Sequence, residues 1–143
     1  VDTVRTSELV RLAAPMEVTF HRAFDMSRDW EAALERIIDS GCTRILTSGL
    51  APTAETGAGK LARIVEKAAG RIEIMAAGGV NPSNAARIAA TGVDALHFSA
   101  RRQYPSRMTY RKDDICMSGD AADEYSVRFA DPEFVCSIVE SLE

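Results

Sequence analysis

Hydrophobic and polar positions along the chain switch repeatedly between two periods. Glu17–His21, Thr43–Thr47, Arg71–Ala77 and Asp94–Ser99 alternate every second residue, and each predicts a strand. Between them, apolar residues recur every three to four positions. Arg5–Ala14 puts Leu9, Val10 and Ala13 on one face and stops at Pro15; Asp29–Ser40 carries Ala33, Leu34, Ile37 and Ile38 and ends at Gly41; Lys60–Ala69 is closed by Gly70. The next helix is marked at both ends, with Asn81 as cap, Pro82 in the first turn and Gly92 as the stop. The stretch 101–130 is polar and reads as loop. A last helix opens at Asp131-Pro132, with Phe134, Val135, Ile138, Val139 and Leu142 as its buried side.

Strand centres recur about every 25 residues, the length of a βα unit. Helices between successive strands imply crossovers, and hence parallel pairing. The pattern predicts an α/β fold of parallel (β/α) units. One strand face is almost wholly apolar: Val18, Phe20, Ile45, Ile72, Ile74, Ala76, Leu96 and Phe98. The other is mixed: Glu17, Thr19, His21, Arg44, Leu46, Ser48, Glu73, Met75, Ala77, Ala95, His97 and Ser99. A doubly wound sheet is roofed by helices on both faces and requires both to be apolar. A single polar face suits the interior of a (β/α) barrel instead. Four units are half of the eight that close such a barrel, so the chain reads as a half-barrel. Its other half is absent or supplied by a second copy, and its open strand edges predict a homo-oligomer or pairing with that missing half.

The 143 residues are 46% hydrophobic and 27% charged, which fits a folded domain spanning 1–143 with 103–143 as a C-terminal loop and helix. The formal charge, 17 − 21 = −4, gives no bulk attraction to nucleic acid or an anionic membrane. No apolar run approaches a membrane span, and Asp2, Arg5 and Glu8 interrupt any secretory leader. Cys42, Cys116 and Cys136 fit neither a disulfide framework nor a zinc pattern, and point to a reducing cytoplasm. A first residue of Val1 rather than Met suggests a piece of a longer protein.

Chemistry in a parallel barrel collects at the C-terminal strand ends. There, His21 faces inward as a candidate general acid/base, Arg22 is placed to grip a carboxylate or phosphate, and Asp25 orients either one or simply pairs with Arg22. Gly78 and Gly79 permit close backbone approach, and the helix opening at Asn81 should direct N–H groups outward. With Ser48, Ser99 and Arg101 they outline an anion cup, and the alternative is a plain strand-to-helix turn. His97 lies deeper, as a hydrogen-bonded interior residue. Arg44 and Glu73 should pair near the strand starts.

Other motifs fail on particular residues. The Thr56–Leu61 stretch resembles a P-loop, but Ala54 and Leu61 occupy positions that require Gly and Ser or Thr. Lys60, Lys67 and Lys112 lie off the strands, leaving no Schiff-base candidate. The basic residues Arg101, Arg102, Arg107, Arg111 and Lys112 are followed by Asp113, Asp114, Asp120, Asp123 and Glu124, which cancel a nucleic-acid field. Cys42 sits at the opposite strand end from His21, so no metal site is assembled from this segment.

The run Val18-Thr19-Phe20-His21-Arg22-Ala23-Phe24-Asp25-Met26 resembles a signature of the CutC family of copper homeostasis proteins. Arg44–Gly49, Ile74–Val80, Leu96–Ala100, Met108–Arg111 and Asp123-Glu124-Tyr125 follow in the same order, so the resemblance covers nearly the whole chain. It implies a cytosolic TIM-type barrel of about 250 residues, of which this chain is the C-terminal half, strands five to eight. It also implies copper as the intact protein's cargo, with cysteine ligands in the N-terminal half. None of Cys42, Cys116 or Cys136 matches those ligands. The residues themselves leave a second function open: an enzyme or binder for a small anionic metabolite.

Overall fold

The computed structural model describes residues 1–112, 114–117 and 124–142. Four strands, β1 (Thr19–Phe20), β2 (Arg44–Thr47), β3 (Glu73–Ala77) and β4 (Ala95–His97), form a parallel sheet in chain order. Thr19 lies opposite Arg44, Arg44 opposite Glu73, and Met75 opposite Ala95. Helices α1 (Thr3–Ala13), α2 (Trp30–Asp39), α3 (Ala58–Ala68) and α4 (Ala85–Ala89) alternate with the strands. A 3₁₀ turn, Arg22–Met26, carries the chain out of β1.

The apolar strand face is the one the helices cover. Ala33, Leu34 and Ile37 of α2 join Ile64 and Ala68 of α3 over Ile45, Ile72 and Ile74. Leu61, Ala76, Ala85 and Ile88 continue the core toward β4. Each fully buried Leu or Ile contributes about 1.5–3 kcal/mol. The opposite face is not roofed: Thr19, His21, Glu73 and His97 are all exposed. His97 therefore stands on an open surface and not in the hydrogen-bonded interior expected from its position in the strand. Arg44 does pair as expected, with Glu73 Oε2 at 2.6 Å from Nε and with Glu17 at 3.5 Å.

Several expected elements change. The stretch 101–130 is not all loop, because β5 (Arg101–Pro105) and β6 (Ser126–Ala130) pair as an antiparallel ribbon. Almost every ribbon residue is exposed, so no buried face left a period-two signature in the sequence. Asp113, Asp120 and Asp123 of the acidic run lie outside the described residues. The ribbon leads into α5 (Pro132–Glu140), whose Ile138 is buried while Val139 and Leu142 are exposed, unlike the side read from the sequence. On α1, Val10 packs on the core but Leu9 is 64% exposed, since no element covers that side.

Asp131 joins ribbon to helix. Its Oδ1 accepts from the N–H groups of Glu133 and Phe134, and its Oδ2 accepts from the Tyr104 hydroxyl at 2.7 Å and pairs with Arg102 Nε at 2.8 Å. The Tyr104 hydroxyl, helped by the two amides and Arg102, holds the buried carboxyl below its ordinary value although burial alone would raise it.

Candidate functional site

The 3₁₀ turn after β1 places Arg22 and Asp25 three residues apart, against the end of β2. Asp25, with a side chain only 7% exposed, accepts from Arg22 Nε at 2.7 Å and from Thr47 Oγ1 at 2.5 Å. It also accepts from the Ser48 N–H at 3.1 Å, the Ser48 hydroxyl at 2.9 Å and the Leu50 N–H at 3.2 Å. Burial pushes the Asp25 carboxyl up, but the bonds from Thr47, Arg22 and Ser48 outweigh it and hold it below its usual value. Asp25 is thus a buried anchor for the neighbouring chain, and it acts through Arg22.

Arg22 is fixed from two sides. Its Nε bonds Asp25, while its Nη2 donates to Ser48 Oγ at 2.5 Å and to the Ala51 carbonyl at 3.4 Å. Its side chain is 41% exposed, and Nη1 has no partner among the described residues. That nitrogen lies against the turn after β3: a Cβ added at Gly78 would sit 3.4 Å from Nη1. Ser48 is wholly buried and its hydroxyl is committed to Arg22, Asp25 and the Ala51 carbonyl. It positions the guanidinium and does not line the mouth.

Gly78 and Gly79 take φ of +106° and +75°, the left-handed region that a side chain resists. The Gly78 carbonyl accepts from the Ala54 N–H, and the Gly79 carbonyl accepts from the side-chain amides of Asn81 and Asn84. Of the donors that the sequence suggested would point outward, those of Asn81, Ser83, Asn84 and Ala85 are occupied. The Asn81 N–H bonds Asn84 Oδ1, the Ser83 N–H bonds Asn81 Oδ1, and the N–H groups of Asn84 and Ala85 bond the Asn81 carbonyl. Just before them, the amides of Gly79 and Val80 make no N–H bond to a described residue.

His21 is exposed at the end of β1, and its Nδ1 accepts from the Ala23 N–H at 2.9 Å. Neutral His21 therefore carries its proton on Nε2 and presents a donor. Ser99 is exposed beyond β4. Arg101 opens the ribbon, and no described contact links it to Arg22 or to the glycine turn. The structure thus brings together Arg22, Asp25, Ser48 and Gly78, while Ser99 and Arg101 make no described contact with that group. Thr47, Leu50, Ala51 and Asn84 enter as partners that the sequence pattern does not single out, and Asn81, expected as a helix cap, donates to the Gly79 carbonyl while Asn84 precedes the helix. The Thr47-Ser48-Gly49 run at a strand end was the available signal for the first of these.

Among the described residues, no three His, Cys, Asp or Glu side chains converge on a metal-sized space. Cys42 is buried near the start of β2, where burial pushes its thiol up, whereas Cys116 and Cys136 are exposed on separate segments. Among the described residues, no helix is long and apolar enough to cross a membrane.

A parallel α/β sheet with one open polar face and a polar cluster at its strand ends defines a partial barrel of the TIM type. The CutC family model matches residues 1–102. A CutC family protein of Chromobacterium violaceum is 45% identical over 144 aligned positions, covering 100% of this chain and 58% of the relative. One from Bacteroides thetaiotaomicron is 42% identical, with the same coverage of both chains. A crystal structure described as the copper homeostasis protein CutC from Streptococcus agalactiae superposes with a TM-score of 0.63 at 31% identity. That match covers 68% of this chain and 49% of the other. The chain belongs to the CutC family, and it spans about three fifths of the length of these curated relatives.

Proposed function

We propose that the chain serves copper homeostasis as the C-terminal half, strands five to eight, of a cytoplasmic CutC barrel. Copper is then the cargo, and its donors belong to the other half. The observation that carries this reading is the open polar face, with Thr19, His21, Glu73 and His97 exposed and β1 and β4 each paired on one side only. Such a face and such edges call for a second set of strands, from the remaining half or from a second copy in a homo-oligomer. The described residues of this chain do not fit a Cu(I) site, because the soft donors Cys42, Cys116 and Cys136 are scattered. Titration with Cu(I) against a competing chelator tests the division of labour. The longer family protein should take up copper that this chain does not, relative to a variant with all three cysteines replaced by serine. No uptake by the longer protein would overturn the copper reading. Light scattering tests assembly, and a well-folded 15.5 kDa monomer would refute the need for a partner.

A second reading rests on a different observation. Arg22 is held rigidly at the strand mouth with one nitrogen unspent, beside a glycine turn that keeps the space before it clear. This arrangement suits a small anionic metabolite, bound or processed by the barrel.

A further inference from the structure

We infer that the mouth between Arg22 and the Gly78–Val80 turn is a subsite for a phosphoryl group, in preference to a carboxylate. The inference rests on the anion reading and narrows it. Three donors carry it: Arg22 Nη1 and the N–H groups of Gly79 and Val80, none of which has a hydrogen-bond partner among the described residues. Val80 is 7% exposed, and an amide in such a place ordinarily has an acceptor.

The directions of these donors are set by groups already bonded. In a trans peptide the N–H points opposite to the carbonyl of the same unit. The Gly78 carbonyl is held by Ala54, so the Gly79 N–H points away from Ala54. The Gly79 carbonyl is held by Asn81 and Asn84, so the Val80 N–H points away from both asparagines. The turn between Val80 and the five-residue helix is closed on itself, since the amides of Asn81, Ser83, Asn84 and Ala85 are internally bonded. The glycines are required here because φ of +106° and +75° is resisted by side chains, and a Cβ at Gly79 would also press on Thr53 Cγ2 at 3.3 Å.

Chemistry then separates the two anion classes. A carboxylate is best matched by the two-pronged fork of a guanidinium. Arg22 has spent Nε on Asp25 and Nη2 on Ser48 and Ala51, so only a single arm remains. Three separate donors, one from a side chain and two from successive peptides, correspond instead to the three terminal oxygens of a phosphate monoester. Asp25 neutralises most of the arginine charge, so recognition depends on these directed bonds more than on long-range attraction.

The test is a titration of the ¹⁵N-labelled 143-residue chain with inorganic phosphate, glycerol 3-phosphate and acetate at constant ionic strength, followed by amide chemical shifts. The expected result is saturable movement of the Gly79 and Val80 amides with both phosphates, at concentrations where acetate moves neither. Arg22→Lys keeps the charge but loses the fixed arm, and should weaken phosphate binding by about tenfold or more. A response to inorganic phosphate alone assigns the subsite to the free ion, and one to both assigns it to a phosphorylated metabolite. Acetate binding as tightly as phosphate would overturn the phosphoryl preference and leave the anion reading standing. No saturable shift at Gly79 or Val80 with any of the three would overturn both.

Discussion

Asp25→Asn is the most informative single change in the molecule. The carboxylate accepts from five donors: Arg22 Nε, Thr47 Oγ1, the Ser48 N–H and hydroxyl, and the Leu50 N–H. Asparagine keeps one acceptor oxygen and turns an amide toward groups that are themselves donors. At least two of the five then lose their acceptor, each at about 1–3 kcal/mol when buried. Arg22, being 41% exposed, recovers part of its loss in water. The expected destabilisation is about 3 kcal/mol, close to that for breaking a buried pair by removing one partner. At roughly 4 °C per kcal/mol for a chain of this length, Tm falls by about 12 °C.

Urea unfolding followed by circular dichroism reads this directly, and the pH dependence supplies an independent check. The folded Asp25 carboxyl titrates below its unfolded value of about 3.9. Its stabilising contribution is therefore fully present well above that value and is lost as pH falls through it toward the folded value. The parent chain should lose stability steeply across that acid range, and the variant should lose less. A difference under about 1 kcal/mol at neutral pH, or identical acid slopes, would refute the anchoring role given to Asp25.

Other changes test neighbouring parts of the structure. Gly57→Ala should destabilise the chain by more than about 2 kcal/mol, because a Cβ there overlaps the Ser48 carbonyl, whereas Gly59→Ala, with nothing near its Cβ, should stabilise α3 by about 0.5–1 kcal/mol. Parallel melts of the two variants check the pair, and equal effects would contradict the packing. In native buffer a thiol reagent should modify Cys116 and Cys136 quickly and Cys42 only after unfolding, and mass spectrometry of the labelled chain counts the sites. Asp131→Asn should release the ribbon and α5, seen as early proteolytic cleavage beyond residue 100 with the sheet retained. Cleavage at parent rates would show that Asp131 does not hold them.

Sheet, helix order and the open face were legible because burial imposes a period on sequence. Val18, Phe20, Ile45, Ile74 and Ala76 alternate with a mixed set that includes Glu17, Thr19, His21, Arg44 and Glu73, since helices cover one face only. The ribbon was not legible, for the same reason in reverse. Arg101–Pro105 buries nothing on either side, so its strands are fixed by the ladder and by Tyr104 and Arg102 on Asp131. The strand-end residues were found, but their division of labour was not. His21, Arg22 and Asp25 announce a polar cluster. Which side chain points into the protein depends on the 3₁₀ turn and on donors from β2, more than twenty residues away. Likewise the opening of a helix at Asn81 was the readable signal, and only the bonds around Asn81 and Asn84 reveal that the Gly79 and Val80 amides before them are left without a described partner.

These arrangements separate two dependences on the partner strands that the proposed half-barrel calls for. Among the described residues, every bond that orients Arg22 and the glycine turn comes from within residues 22–84: Asp25, Thr47, Ser48, Ala51, Ala54, Asn81 and Asn84. None comes from the open face or the outer edges of β1 and β4. The mouth should therefore be formed in this chain alone, before any barrel closes. The sheet edges and the Arg44–Glu73 face, by contrast, would be finished by added strands under the proposed half-barrel reading. Binding at Gly79 and assembly at the edges are then separable properties, so a chain that aggregates or dimerises can still show the local amide response. A response that appeared only after a partner half was added would mean that the orienting bonds within 22–84 are insufficient.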